Sequence, residues 1–320
     1  MIITVTLNPA IDKTVEINNV HINSVNRVSS TRLDAGGKGI NVSKIVQSLG
    51  GKSKALGFLG GRAGTFIKKY LDEMNIENDF VIVQGETRTN LKIVDPVERT
   101  NTDINEMGPQ ITPEDIEQLE KQMLHSVNDK SIIVFSGSVP PNIEPDIYQK
   151  WICQVKEKGG KTILDADGEM MRLGIAAGPY LIKPNIHELE RVLGREIKNS
   201  DEVISAARSL MKQHGIEIVV VSMGEEGALF LNNQVTILAE GLVVDVKSTV
   251  GAGDSMVAAL AYAIDNGETF EKAVTLAVAA GTANVMTYGT EPSSLALIQE
   301  LENKVHWKYV QDFRHLQKIQ

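Results

Sequence analysis

The alternation of short apolar runs with longer stretches of helical period constrains this chain more than any other feature. The runs IITVTL near residue 2, SIIVFSG near 131, KTILDAD near 161, YLIKPN near 180 and IEIVVVS near 216 have the length of buried strands. Segments of helical period lie between them, among them 200–213 and 252–264. Strands buried on both faces and separated by helices make a mostly parallel sheet covered by helices, so the expected class is α/β. The 320 residues, 42% of them hydrophobic, suffice for one substantial core, and a single domain over 1–320 is expected.

Two regions break the rhythm. Residues 12–33 contain TVEI and RVSSTRL, and residues 87–106 contain TNLKIVD and TNTDIN around the turn-like Pro96-Val97-Glu98-Arg99. Together they suit a small second sheet, either a lid over the strand ends or an ordinary edge hairpin.

Thirty-two basic against forty-one acidic residues leave a formal net charge of -9, which opposes general adhesion to nucleic acid or to an anionic membrane. An anionic ligand therefore needs a locally basic pocket. The one cysteine, Cys153, has no partner for an internal disulfide and is expected to be a partly buried, inert thiol near a helix end. The N-terminal apolar run is short, has no basic region before it and stops at Asn8-Pro9, and no stretch approaches the roughly 18 apolar residues of a membrane span. A cytoplasmic location is the expectation.

Ligands of such sheets sit at the carboxyl ends of the strands. Here those ends read Asn8-Pro9, Ser136-Gly137-Ser138, Asp165-Ala166-Asp167, Lys183-Pro184-Asn185 and Ser222-Met223-Gly224. The strongest motif follows later, Ser248-Thr249-Val250-Gly251-Ala252-Gly253-Asp254, running straight into a small-residue helix. Its glycines let backbone N–H groups converge on one point, where the helix N-terminus adds positive potential, so the site suits an anion or a developing negative charge. Asp254 in that first turn has two readings. It is a proton acceptor, or it is an acid that stabilises the helix dipole by under about 1 kcal/mol and does no chemistry.

Three further segments bear on that choice. In Asp34-Ala35-Gly36-Gly37-Lys38-Gly39-Ile40-Asn41, the glycines admit a polyhydroxylated ligand, Asn41 both donates and accepts, and Lys38 brings a cation for a phosphate. In Lys183-Pro184-Asn185-Ile186-His187-Glu188, Asn185 and Glu188 stand three apart at a helix start. They either face a Mg²⁺-bound water or phosphate together, or form a capping box. Val221 to Ala228, with Ser222, Gly224 and Gly227, reads as a strand-turn-strand that passes under a nucleotide or as a plain hairpin. Arg27, Arg88 and Lys38 are candidate phosphate clamps. Gly51-Lys52-Ser53 is a decoy, since a Walker A loop needs glycine where Val46 stands, and no complete dinucleotide fingerprint follows a strand. The six histidines lack zinc spacing.

These four segments in this order resemble the ribokinase-like (PfkB) carbohydrate kinases over nearly the whole length, the two signatures falling at 36–41 and 251–254. The resemblance implies a three-layer α/β/α sandwich with a small β-sheet lid, often used for dimerisation, and so a homodimer. It also implies ATP bound with Mg²⁺ near the helix that Asp254 opens. Within the family, TLNPAIDKTV, GGKGINVS, GETRTNLKI and NEMGPQIT are most similar to the kinases of fructose 1-phosphate, with those of tagatose 6-phosphate second.

Carried over, the resemblance assigns the sugar phosphate to Asp12, Gly37, Lys38, Asn41 and Arg88, with Arg27 and Ser138 beside them. It assigns ATP and its metal to Lys183, Asn185, Glu188, Ser222, Gly224, Gly227, Ser248, Thr249 and Asn284, with Asn185 and Glu188 reaching the metal through water. Gly251, Ala252 and Gly253 would neutralise the transferred phosphoryl group while Asp254, near an ordinary carboxyl pKa of about 4, accepts the hydroxyl proton late. A non-catalytic sugar-phosphate sensor would keep the fold without turnover. The aromatic and basic segment KVHWKYVQDFRHLQKIQ at the C-terminus is expected to dock on the core as a helix or strand.

Overall fold

The computed structural model describes residues 1–310. In chain order its strands are β1 (Ile2–Thr6), β2 (Ala10–Glu16), β3 (Ser30–Gly36), β4 (Ser53–Leu59), β5 (Glu77–Asn78), β6 (Val81–Ile82), β7 (Arg88–Asp95), β8 (Thr100–Asn105), β9 (Ile132–Ser136), β10 (Lys161–Asp165), β11 (Leu181–Ile182), β12 (Ile218–Ser222), β13 (Ala228–Asn232), β14 (Thr236–Ala239) and β15 (Trp307–Tyr309). The large sheet runs β15-β14-β13-β12-β11-β10-β9-β1-β4-β5, with β6 also on β4. From β12 to β5 every pairing is parallel, whereas β13, β14 and β15 are antiparallel additions at one edge.

Burial of both faces explains the uniformly apolar strands. Ile3, Val5, Ile133, Phe135, Val219 and Val221 point to one side, where they pack with helices Pro113–Ser126, Ile147–Glu157, Gly168–Ala176, Ile186–Leu193 and Ser200–His214. Their neighbours Ile2, Ile132, Val134, Ile218 and Val220 point to the other, against helices Lys38–Ser48, Ala252–Asp265, Phe270–Val285 and Leu295–Glu302. The period of two thus builds a three-layer α/β/α sandwich. The two helices Ala252–Asp265 and Phe270–Val285 owe their close packing to runs of alanine at the contact.

Four strands form a separate sheet in the order β3-β2-β7-β8. Its register makes one row of Asp34, Asp12, Asn90 and Asn105, and the next row of Leu33, Lys13, Leu91 and Ile104. Successive residues of a strand face opposite sides, so this sheet has one strongly polar face and one largely apolar face.

Two local readings change. Cys153 is exposed, because it falls on the solvent side of helix Ile147–Glu157, whose buried face is Ile147, Tyr148, Trp151, Ile152 and Val155. Of the aromatic C-terminal segment, Trp307–Tyr309 pairs with β14 as an edge strand, and Trp307 Nε1 donates to Thr275 Oγ1 at 3.2 Å. Residues 311–320, the rest of that segment, lie outside the described residues.

Candidate active site

A cleft of about 570 Å³ opens at the carboxyl ends of β1, β9, β10, β11 and β12, facing the polar side of the small sheet. Lys38, Asn41, Arg88, Lys183, Glu188 and Asp254 all reach it, from segments spread over more than 200 residues. Asp12, Gly37, Ser138, Asn185, Ser222, Gly251 and Gly253 line it as well.

Asp254 is buried in the first turn of helix Ala252–Asp265. Gly251 caps this helix at φ 87°, and among the described residues no side chain bonds to its first N–H groups. Those N–H groups, of Gly251, Ala252 and Gly253, are the donors that a helix start leaves free for an anion. Asn41 Nδ2 donates to Asp254 Oδ2 at 2.8 Å across 213 residues of sequence. Burial pushes the Asp254 carboxyl up to about 6, the Lys38 ammonium opposing and the Asp165 carboxylate assisting. This corrects the sequence-based value near 4: burial makes the carboxyl a stronger base than an exposed one, even though the hydrogen bond from Asn41 pulls the other way.

Asp165, at the end of β10, was not singled out as a site residue, yet it organises the cations. Its buried carboxylate lies 3.2 Å from Lys38 Nζ through Oδ2 and 3.4 Å from Lys183 Nζ through Oδ1. Burial raises Asp165, but Lys183 and Lys38 outweigh burial and hold it below the ordinary carboxyl range. Lys38 in turn is raised despite its burial, chiefly by Asp165 and then Asp254, so it stays an ammonium. Gly37 makes the turn that aims Lys38. At φ 113° it adopts a conformation that side chains avoid, and a Cβ there would sit 2.8 Å from Thr6 Cγ2.

On the small-sheet side, Asn90 Nδ2 donates to Asp12 Oδ1 at 3.0 Å. Burial raises Asp12, with Asn90 and Lys44 opposing. Arg88 donates through Nε and Nη2 to the Asn8 carbonyl at 3.2 and 3.0 Å, and its Nη2 reaches Ser138 Oγ at 3.4 Å. Desolvation lowers Arg88 from its usual value while Asp12 pulls it up. Arg27 behaves differently: it is exposed on the segment between β2 and β3 and does not line the cleft.

Asn185 and Glu188 form the capping box. Glu188 N donates to Asn185 Oδ1 and Asn185 N to Glu188 Oε2, both at 2.8 Å. The capping role and a place on the cleft wall are compatible, since Glu188 keeps Oε1 free of protein hydrogen bonds among the described residues. The described residues contain no cluster of three or more His, Cys, Asp or Glu side chains able to cage a metal. Ser222 ends β12, and the turn that follows uses Gly224 and Gly227 at positive φ before β13. These two glycines, Ser248 and exposed Thr249 do not line the cleft. Neither does Ala252, whose N–H belongs to the uncapped turn, nor buried Asn284, whose amide packs beneath Gly251.

Asn90 and Asn105, which line the cleft, and Lys44 beneath it carry no signal in the sequence reading, whereas Asn8, which also lines it, stands at a strand end named there. The pairing of Asn90 with Asn105 depends on strand register, which the sequence carries only weakly. Lys44 passes for a solvent-facing residue of an amphipathic helix, but Gly39 to Val46 are all buried because the helix is covered on every side.

The sequence matches the description "pfkB family carbohydrate kinase" over residues 5–296. It is 37% identical over 287 residues to the 1-phosphofructokinase of Borreliella burgdorferi, covering 89% of this chain and 92% of that one. It is 38% identical over 276 residues to the 1-phosphofructokinase of Escherichia coli K12, covering 86% and 88%. Among solved structures, phosphofructokinase-2 from Escherichia coli in complex with substrates and products superposes with a TM-score of 0.91 at 30% identity, over 95% of this chain and 98% of that one. With both glycine-rich segments meeting in one cleft and the match spanning nearly its full length, this chain belongs to the pfkB family of carbohydrate kinases.

Proposed function

We propose that this chain transfers the γ-phosphoryl group of ATP to fructose 1-phosphate, giving fructose 1,6-bisphosphate, with Asp254 as the proton acceptor. One observation carries the reading: a buried carboxyl of raised basicity stands beside an uncapped helix N-terminus and opposite two lysines that share one carboxylate. That is the equipment for moving a phosphoryl group between two anionic ligands. The names of the curated relatives favour fructose 1-phosphate over tagatose 6-phosphate.

The sugar hydroxyl attacks the γ-phosphorus, the bond from phosphorus to the bridging oxygen breaks, and ADP leaves with that electron pair. Asp254 aligns the hydroxyl and receives its proton, while Asn41 fixes the carboxylate through Oδ2. The N–H groups of Gly251, Ala252 and Gly253 stabilise charge on the phosphoryl oxygens. Lys38 and Arg88, with Ser138 and Gly37, take the sugar phosphate, and Asp12 accepts from sugar hydroxyls. Lys183 serves the ATP phosphates beside Ser222, while Gly224, Gly227, Ser248 and Thr249 border the nucleotide where it extends beyond the cleft and Asn284 supports Gly251 from beneath. Arg27 is assigned to the sugar phosphate only if its segment folds over the cleft.

Mg²⁺ fits this cleft in one way. With no carboxylate cage, the ion would be held by ATP oxygens and water, with Glu188 and Asn185 behind the water. When bound it neutralises phosphate charge.

The small sheet is the lid, formed by residues of about 12–33 and 87–106, which brings Asp12, Arg88, Asn90 and Asn105 to the cleft and excludes water. Its opposite face leaves Leu33 and Ile104 about half exposed in one row with Lys13 and Leu91, and a second copy of this chain would cover it as a homodimer. A monomeric mass by light scattering at micromolar concentration would remove that assembly. No helix of the described residues is long and apolar enough to cross a membrane.

Coupled ADP release tests the whole reading. With fructose 1-phosphate, tagatose 6-phosphate and fructose 6-phosphate compared in one assay, kcat/KM should be highest for fructose 1-phosphate. Binding without ADP release from any of them would mean a sensor.

A further inference from the structure

Lys44 is a fully buried lysine that the transfer steps leave unused. Its Nζ donates to the Ala35 carbonyl at 2.8 Å, to the Thr290 carbonyl at 2.8 Å and toward Thr290 Oγ1 at 3.4 Å. The three oxygens come from two separate segments. Ala35 immediately precedes the Gly36-Gly37 turn that aims Lys38, and Thr290 follows helix Phe270–Val285, whose Asn284 supports Gly251. Lys44 also stands three residues after Asn41, one helical step from the side chain that fixes Asp254.

A buried ammonium is costly unless it is paired and hydrogen-bonded, and here it is both. Its surroundings justify the charge. The acidic groups facing it are Asp34, Asp12 and Asp254; Arg32 is the facing cation, and the Tyr70 ring lies 5.9 Å from Nζ. Burial lowers Lys44 to about 8, against the pull of the three carboxylates, so it remains mostly an ammonium at neutral pH.

We propose that Lys44 is a positioning residue: a built-in counter-cation that clasps the sugar-phosphate turn to the loop beside the Asp254 helix and favours the anionic forms of Asp254 and Asp12. The inference rests on the reading of Asp254 as proton acceptor. It goes beyond it by assigning the electrostatic support of that base to a side chain that touches neither substrate.

The test uses Lys44→Met and Lys44→Ala in the full chain, with Asp254→Asn as reference. Removing the cation makes the Asp254 anion less favourable, so the acid limb of kcat should move up by about half a pH unit, with kcat at pH 6 falling about twofold and kcat at pH 7 little changed. The other charged groups facing Asp254, namely Lys38, Asp165 and Lys183, are untouched by the substitution. In Lys44→Ala, the space beside the three oxygens should admit methylammonium, which should restore both kcat and the acid limb, whereas tetramethylammonium at equal ionic strength should not. Thermal melts of each variant read folding separately, and the rescue is measured on protein that melts cooperatively.

An acid limb unmoved in Lys44→Met, or a folded Lys44→Ala variant that methylammonium leaves unchanged, overturns the role of Lys44 while Asp254→Asn stays inactive. Near-normal turnover by Asp254→Asn would instead overturn the base assignment and this inference with it.

Discussion

Replacing Asp254 by Asn should make the protein more stable at neutral pH while disabling it. The wild-type carboxyl rises from about 3.8 to about 6 on folding, through burial partly offset by Lys38. Between those values the folded state holds the proton more often than the unfolded state, so stability falls as pH rises through that window. Above pH 6 the full cost remains. Two pKa units at about 1.4 kcal/mol each set it at about 3 kcal/mol as an upper value. Asn has the same shape, carries no charge and can keep the 2.8 Å bond from Asn41 through its own carbonyl oxygen.

The expected gain at pH 7 is therefore about 1–3 kcal/mol, or a few degrees in Tm for a chain of this size, together with a loss in kcat of about 10²-fold or more. Thermal melts of both proteins at pH 7 and at pH 4 separate the causes, since the advantage should disappear at pH 4, where the wild-type carboxyl is protonated. The opposite sign follows if Asp254 only stabilises the helix dipole, because neutralising it would then cost up to about 1 kcal/mol. A variant less stable than wild type at pH 7, or equally favoured at both pH values, would refute the idea that this acid is strained for chemistry.

Turnover at saturating substrates should follow an acid limb near pH 6, so that kcat at pH 5 is about tenfold below its plateau; a flat curve from pH 7 to 5 in folded protein would remove Asp254 from the step. Lys38→Ala should raise the KM for fructose 1-phosphate by about 10–100-fold and that for ATP much less, because a charge-assisted contact of about 1.5–3 kcal/mol is lost. Equal effects on both KM values would point instead to disturbance of Asp165, the carboxylate that Lys38 shares with Lys183. Gly37→Ala should lower stability by about 1–3 kcal/mol, measured by denaturant melts, since it combines a φ of 113° with a Cβ only 2.8 Å from Thr6 Cγ2.

What could be read in the sequence was whatever one segment encodes by itself. The parallel strands announced themselves through burial on both faces, and the small sheet through its different rhythm. Gly37, Lys38, Asn41 and Asp254 were visible because a helix start with glycines has local chemistry. Each ambiguity in the sequence is resolved by a partner elsewhere in the chain. Asn185 and Glu188 looked like either a capping box or a metal site, and the folded chain accommodates the first without excluding the second, because the cap uses only one Glu188 oxygen. Arg27 looked like a clamp by charge alone, and its exposure follows from a loop that no local pattern orients.

The pKa of Asp254 differs from the sequence expectation for the same reason. An acid near a helix N-terminus should have a low pKa, and by local chemistry the expected value near 4 was already generous. What raises it is burial in the folded core, helped by the carboxylate of Asp165, and this outweighs Lys38, Lys183 and the hydrogen bond from Asn41, 213 residues away, all of which pull it down. Lys44 is the extreme case: its acceptor Thr290 lies 246 residues away, and only the packing of the small sheet, the Lys38–Ser48 helix and the Thr290 loop turns an ordinary helical lysine into a buried cation. The helix-start motifs thus place Lys38, Asn41 and Asp254, while the charge state of each titratable group is decided by long-range contacts. Substitutions remote from Asp254 in sequence should therefore alter its pH dependence as strongly as substitutions within the glycine turn that precedes it.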